Sequence, residues 1–188
     1  ILNDRMMLYT EEIYNLLSNR HFLTNNSVDN DKRRWYADLE ENLEDYMQFF
    51  RQIGFRIECG EGYFCFARKE SAQTMEDKLK RMYEWINILD FMLTFDASFG
   101  DGFTFSKSDI MTRLNDPEMK EKATSMFESK ETASEVVSKV LKELQKFDVI
   151  EELDSYAEKY KVTACVNYFL TLMNKFEIAK EAEDEIPE

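Results

Sequence analysis

Histidine is nearly absent from this 188-residue chain: His21 is the only one. A serine or cysteine nucleophile needs a positioned base. One imidazole, in a polar loop beside no convincing nucleophile, cannot supply a catalytic triad. Glycine and proline are scarce too, at 5 and 2. With 44% hydrophobic and 14% aromatic residues, that scarcity excludes a disordered or low-complexity chain. Gly60-Glu61-Gly62 precedes no Gly-Lys-Ser/Thr and opens no helix, so it is no phosphate loop. The 3 cysteines, Cys59, Cys65 and Cys165, lack the second ligand pair that zinc requires. No apolar run approaches membrane-spanning length, and no charged-then-apolar signal opens the chain. No cofactor and no membrane contact are expected.

Positive charge is the other shortage. Against 38 Asp and Glu stand 24 Lys and Arg, a net charge of −14. The acid excess is heavier after residue 72 than before it. Such a surface repels a phosphate backbone over most of its area.

What is present is apolar periodicity. Leu2 to Ser18 carries a helical stripe through Met6, Tyr9, Ile13, Leu16 and Leu17. A polar loop with one short extended piece follows, and Asp31 can cap the next helix. Lys32 to Gln52 reads as one long helix with Trp35, Leu39, Leu43, Tyr46, Met47 and Phe50 inward, ended by Gly54. Residues 55–68 form a hairpin whose turn is expected at Gly60-Glu61, with Phe55 and Ile57 facing Phe66 and Phe64. Strand alternation sends Cys59 and Cys65 to opposite faces, which excludes a disulfide between them and fits a cytoplasmic protein.

Gln73 to Ala97 is the strongest helix. Met75, Leu79, Met82, Ile86, Leu89 and Leu93 form one stripe, and Tyr83, Trp85, Ile88, Met92 and Phe95 a second. A helix apolar on both flanks is expected to be buried on both. Beyond a loop with a short extended piece, Ser106 to Asp109 and Thr132 to Glu135 read as capping boxes. Asp116-Pro117 opens another helix. Ala133 to Phe147 again leads into a hairpin, 149–154 with 158–163, and Cys165 to Ile178 closes the helical part. A helix feeding a two-stranded wing thus occurs twice. The expected fold is α+β and mostly helical: tandem winged-helix domains, 1–72 and 73–180, joined by a long central helix, with an acidic tail at 181–188.

Three candidate sites deserve weighing. Counted from Asp96, the Asp96–Gly102 loop puts Asp101 where a calcium loop needs glycine and Lys107 where it needs glutamate, so it reads as a tight turn. Lys32, Arg33 and Arg34 at a helix start could contact DNA, since cations there oppose the helix dipole; the plain alternative is a solvated terminus beside Asp29, Asp31 and Asp38. Phe91, Phe95, Phe99, Phe103 and Phe105 are the best candidate partner-binding surface, because loops seldom carry large aromatics without reason. The alternative is that they cover the end of the central helix.

The stretches Ile53–Lys69, Trp85–Phe91 and Phe95–Phe103 resemble MksE, the MukE-like accessory subunit of bacterial condensins, in order and pattern over most of the chain. That resemblance implies a homodimer of tandem winged-helix subunits that binds a kleisin and, through it, an SMC-type ATPase that moves DNA. The chain itself would hydrolyse nothing and would touch DNA weakly or within the complex, at the nucleoid, in chromosome segregation or in defence against plasmids. A winged-helix transcription regulator is the alternative, with the helix from Lys32 or from Ala133 entering the major groove. An enzyme would have to rest on carboxylates alone.

Overall fold

A computed structural model describes residues 7–67, 75–126 and 132–184, with side chains described for all of these except 75–79 and 176–184. The first run of elements is α1 (Thr10–Ser18), β1 (Leu23–Thr24), α2 (Asn30–Glu41), α3 (Leu43–Gln52), β2 (Ile57–Gly60) and β3 (Tyr63–Phe66). The second is α4 (Met75–Phe95), β4 (Thr104–Ser106), α5 (Lys107–Arg113), α6 (Pro117–Met126), α7 (Ala133–Lys146), β5 (Ile150–Asp154), β6 (Lys159–Val162) and α8 (Val166–Asp184). Each run builds one antiparallel three-stranded sheet, in the orders β1-β3-β2 and β4-β6-β5. In each, the strand after the first helix pairs with the last strand of the hairpin. The chain is α+β and mostly helical, as its periodicity indicates.

Local chemistry sets the boundaries, and it departs from the pattern in several places. The first helix begins at Thr10, and the N–H groups of Leu8 and Tyr9 just before it are taken by Asp38 and by the Tyr46 hydroxyl. Asp29, rather than Asp31, caps α2, accepting from the Asp31 N–H at 2.8 Å. The long helix expected from Lys32 to Gln52 is broken at Asn42. Its side-chain amide donates to the Asp38 carbonyl at 2.9 Å, and an asparagine that binds nearby backbone competes with the helix ladder. The stripe survives the break, since Leu39, Tyr46 and Phe50 are buried in one core with Ile13, Leu17, Leu23, Ile57, Phe64 and Phe66, and Trp35, Leu43 and Met47 pack half-buried against it. Tyr36, outside the expected stripe, is buried there too. At the far end, α8 runs to Asp184, past the Ile178 end indicated by its apolar stripe.

The first hairpin turns at Glu61-Gly62 instead of Gly60-Glu61, because Gly62 takes the positive φ of +77° that the turn needs. Ile57 therefore pairs with Phe66, and Cys59 with Phe64. The pairing moves by two residues, so every side chain keeps its face. Cys59 is exposed and Cys65 is buried, and the two are not joined in a disulfide.

In α4, burial is uneven. Ile88, Leu89, Phe91, Met92 and Phe95 are enclosed, whereas Met82, Trp85 and Ile86 are half-buried and Tyr83 is exposed. Both stripes are thus covered only in the C-terminal half, and Met75 and Leu79 lie outside the described side chains. In α7, Val136, Val137, Val140, Leu141 and Leu144 all enter the second core. Both capping boxes form. Ser106 accepts from the Asp109 N–H while the Asp109 carboxylate accepts from the Ser106 N–H at 2.7 Å. The Ser106 side chain and backbone hold the Asp109 carboxyl below its ordinary range. Ser106→Ala is expected to lower stability by about 1 kcal/mol in urea unfolding. Because the depressed carboxyl stabilises only when ionised, the difference from wild type should be full above its unfolded pKa and fade as pH falls through the lowered value.

Candidate partner-binding surfaces

Phe91, Phe95, Phe99 and Phe105 are buried and Phe103 is half-buried. The rings of Phe95, Phe99, Phe103 and Phe105 contact one another, Phe95 to Phe105 at 5.9 Å and Phe103 to Phe105 at 6.1 Å, and Phe105 meets Tyr160. They close the end of α4 from inside, so an exposed aromatic surface is not what they form. Removing the rings of Phe91, Phe95, Phe99 and Phe105 from water outweighs displaying them. The basic triplet is also engaged. Lys32 pairs with Glu151 at 3.2 Å, Arg34 with Asp31 at 3.3 Å, and Arg33 donates to the Ser27 carbonyl and the Asn30 side chain. As DNA contacts, these three would first have to leave their partners.

What the spacing did not reveal is the seam between the two runs of elements. Leu23, Phe64 and Phe66 enter the first core, but their neighbours Phe22 and Cys65 belong to the second, with Tyr63 packed against it. The first sheet is therefore a wall shared by both cores. Phe22 lies 5.2 Å from Tyr168 and 6.0 Å from Phe169, and Tyr63 lies 5.9 Å from Tyr168. Polar contacts line the same seam. Asp148 accepts from His21 Nδ1 and from the Phe22 N–H at 2.9 Å, and Glu151 accepts from Ser27, the Val28 N–H and Lys32. Asn26 accepts from the Ala164 N–H at 2.9 Å and donates to the Val162 carbonyl. His21 is thus a structural contact of the seam. The polar segment from His21 to Asn30, unremarkable as sequence, supplies most of these contacts. Its only signal was an uncommon density of Asn, Ser and Asp, the side chains that satisfy foreign backbone.

The seam also occupies the tip of the first hairpin. Asn25 donates to the Gly62 carbonyl at 3.0 Å and Asn167 to that of Glu61 at 3.0 Å. A ribbon tip held this way is not free to enter a DNA groove. Nor do the helices before the hairpins offer a basic face: α3 exposes Glu44, Asp45, Gln48, Phe49 and Arg51, and α7 mixes Lys139, Lys142 and Lys146 with Glu135 and Glu143.

Among the described residues, two concavities stand out. The first is an apolar groove of about 290 Å³ between α4 and α8, lined by Met82, Trp85, Ile86, Phe169, Leu172 and Met173 among others. Its wall is stiff, because Trp85 stacks on Phe169 at 4.1 Å and meets Phe147 edge-on at 5.1 Å. The second is a cleft of about 760 Å³ between the end of α4, β4 and α5, lined by Thr94, Phe95, Asp96, Phe103, Thr104, Phe105, Asp109 and Arg113.

Titratable groups add little chemistry. Burial pushes the Tyr36 and Tyr63 hydroxyls up to about 12 and the Tyr46 hydroxyl higher still. Burial also raises the Asp101 carboxyl. Among the described residues no three His, Cys, Asp or Glu side chains gather to hold a metal, and no helix is long and apolar enough to cross a membrane.

A family model described as "Condensin complex protein MksE" matches residues 8–174. No curated protein matches the chain.

Proposed function

Because the chain belongs to the MksE family of condensin complex proteins, we propose that it is the non-catalytic adaptor of a condensin-like complex. In this reading it binds a kleisin and, through it, an SMC-type ATPase. It dimerises, and its two helix–hairpin units act as tandem winged-helix domains used for protein rather than DNA contact. It works in the cytoplasm at the nucleoid, in chromosome organisation or in defence against plasmids.

The observation that carries the reading is the open groove between α4 and α8. It is apolar, has a rigid aromatic wall and suits the apolar face of a partner helix, the mode by which helices are captured in grooves. Net charge −14, the engaged basic triplet and the wedged hairpin tip support protein contact over DNA contact.

Co-purification with the product of a neighbouring gene, and solution mass, test it. Wild type is expected to retain the partner and to run as a dimer. Met82→Lys combined with Leu172→Lys, both half-buried in the groove, should keep the native circular dichroism and weaken capture at least about tenfold, roughly 1.4 kcal/mol. A monomer that retains no neighbour would sink the reading.

A further inference from the structure

The cleft beside β4 has a feature that the groove lacks, an open strand edge. In the order β4-β6-β5, β4 is an outer strand. The Val162 N–H donates to the Phe103 carbonyl at 2.8 Å, and the Lys107 N–H to the Glu158 carbonyl at 3.0 Å. Both bonds fall in the register that pairs Phe105 with Tyr160 and Thr104 with Lys161. In an antiparallel ladder, alternate residues aim their backbone groups at the partner strand, so Thr104, between Phe103 and Phe105, aims its N–H and C=O away from β6. Ser106, the next such residue, has its N–H taken by Asp109. Thr104 is exposed and lines the cleft, so its backbone pair is open to a further strand.

The walls specify the occupant. Half-buried Phe103, with Phe95 and Phe105 behind it, offers an apolar floor. Asp96 and Asp109 lie on the rim, and neither is in an ion pair among the described residues. Among the described lining residues the one cation, Arg113, lies 3.7 Å from Asp116. An acidic rim over an aromatic floor along an open edge complements an extended segment in which basic and apolar side chains alternate.

We propose that this cleft binds an extended segment of the kleisin partner, carrying basic and apolar side chains in alternation, by adding it as a fourth strand beside β4. This rests on the adaptor reading above and adds a second point of attachment, separate from the groove.

The test is amide hydrogen exchange on the full chain, alone and with the co-purified partner. A strand added at β4 turns the Thr104 N–H from solvent-exposed to hydrogen-bonded, so its exchange should slow at least about tenfold in the complex. Thr104→Pro removes the outward N–H without deleting a donor to β6 and should weaken capture, as should Asp96→Lys through its charge. A complex that forms with Thr104 exchanging as in the free chain overturns the cleft and leaves the adaptor reading standing. Failure to form any complex overturns the adaptor reading and the cleft with it.

Discussion

Truncating Phe22 to alanine is expected to cost about 3–5 kcal/mol of unfolding free energy, the range for deleting a fully packed ring. Phe22 follows the first helix in sequence but sits in the second core, almost wholly buried against Tyr63, Tyr168 and Phe169. Its N–H is held by Asp148 at 2.9 Å, so the chain cannot readily collapse into the cavity. Because the ring touches elements from both runs, the loss should appear as one cooperative urea transition shifted to lower concentration, by circular dichroism and by tryptophan fluorescence alike. A change below about 1 kcal/mol would mean that the seam is not a packed core.

Gly62→Val should be comparably severe for a different reason. Gly62 sits at φ +77°, where a side chain costs about 1–2 kcal/mol. A Cβ there would also stand 2.7 Å from the Ala164 Cβ and 3.0 Å from the Asn25 side chain, closer than real contacts allow. Overpacking of that kind adds about 1–3 kcal/mol. The hairpin tip must then lift from the start of α8, loosening the bonds that Asn25 and Asn167 make to it. Ala164→Gly in the Gly62→Val background removes one of the clashing atoms, so the double variant should be more stable than the sum of the single effects predicts. Strict additivity would show that the tip does not press on Ala164.

Legibility in the sequence followed the range of the interaction concerned. The stripe in α7, both capping boxes, the cap at Gly54 and the two hairpins depend on residues a few positions apart, and the pattern located them. The break at Asn42 was missed because a stripe continues across it, and the competing side-chain bond to Asp38 leaves no mark on periodicity. Leu23–Thr24 and Thr104–Ser106 were visible only as extended pieces. Strands of two and three residues have no alternation to read, and they become strands by pairing with β3 and β6. The five phenylalanines from Phe91 to Phe105 show the same limit. Their spacing indicates that they gather, but not whether they gather inside or outside.

Composition and local pattern were sufficient to determine the mostly helical class, the repeated order of helices and hairpins, and the acidic character. Those properties depend on residue type and on neighbours within one turn or one hairpin. Only the tertiary structure decided that β3 is shared by two cores, that the basic triplet is bound up, and that a groove and an open strand edge are left over. Each of these pairs groups whose separation along the chain is large, so the free energy that brings them together belongs to packing and desolvation across the fold, and no local spacing records it.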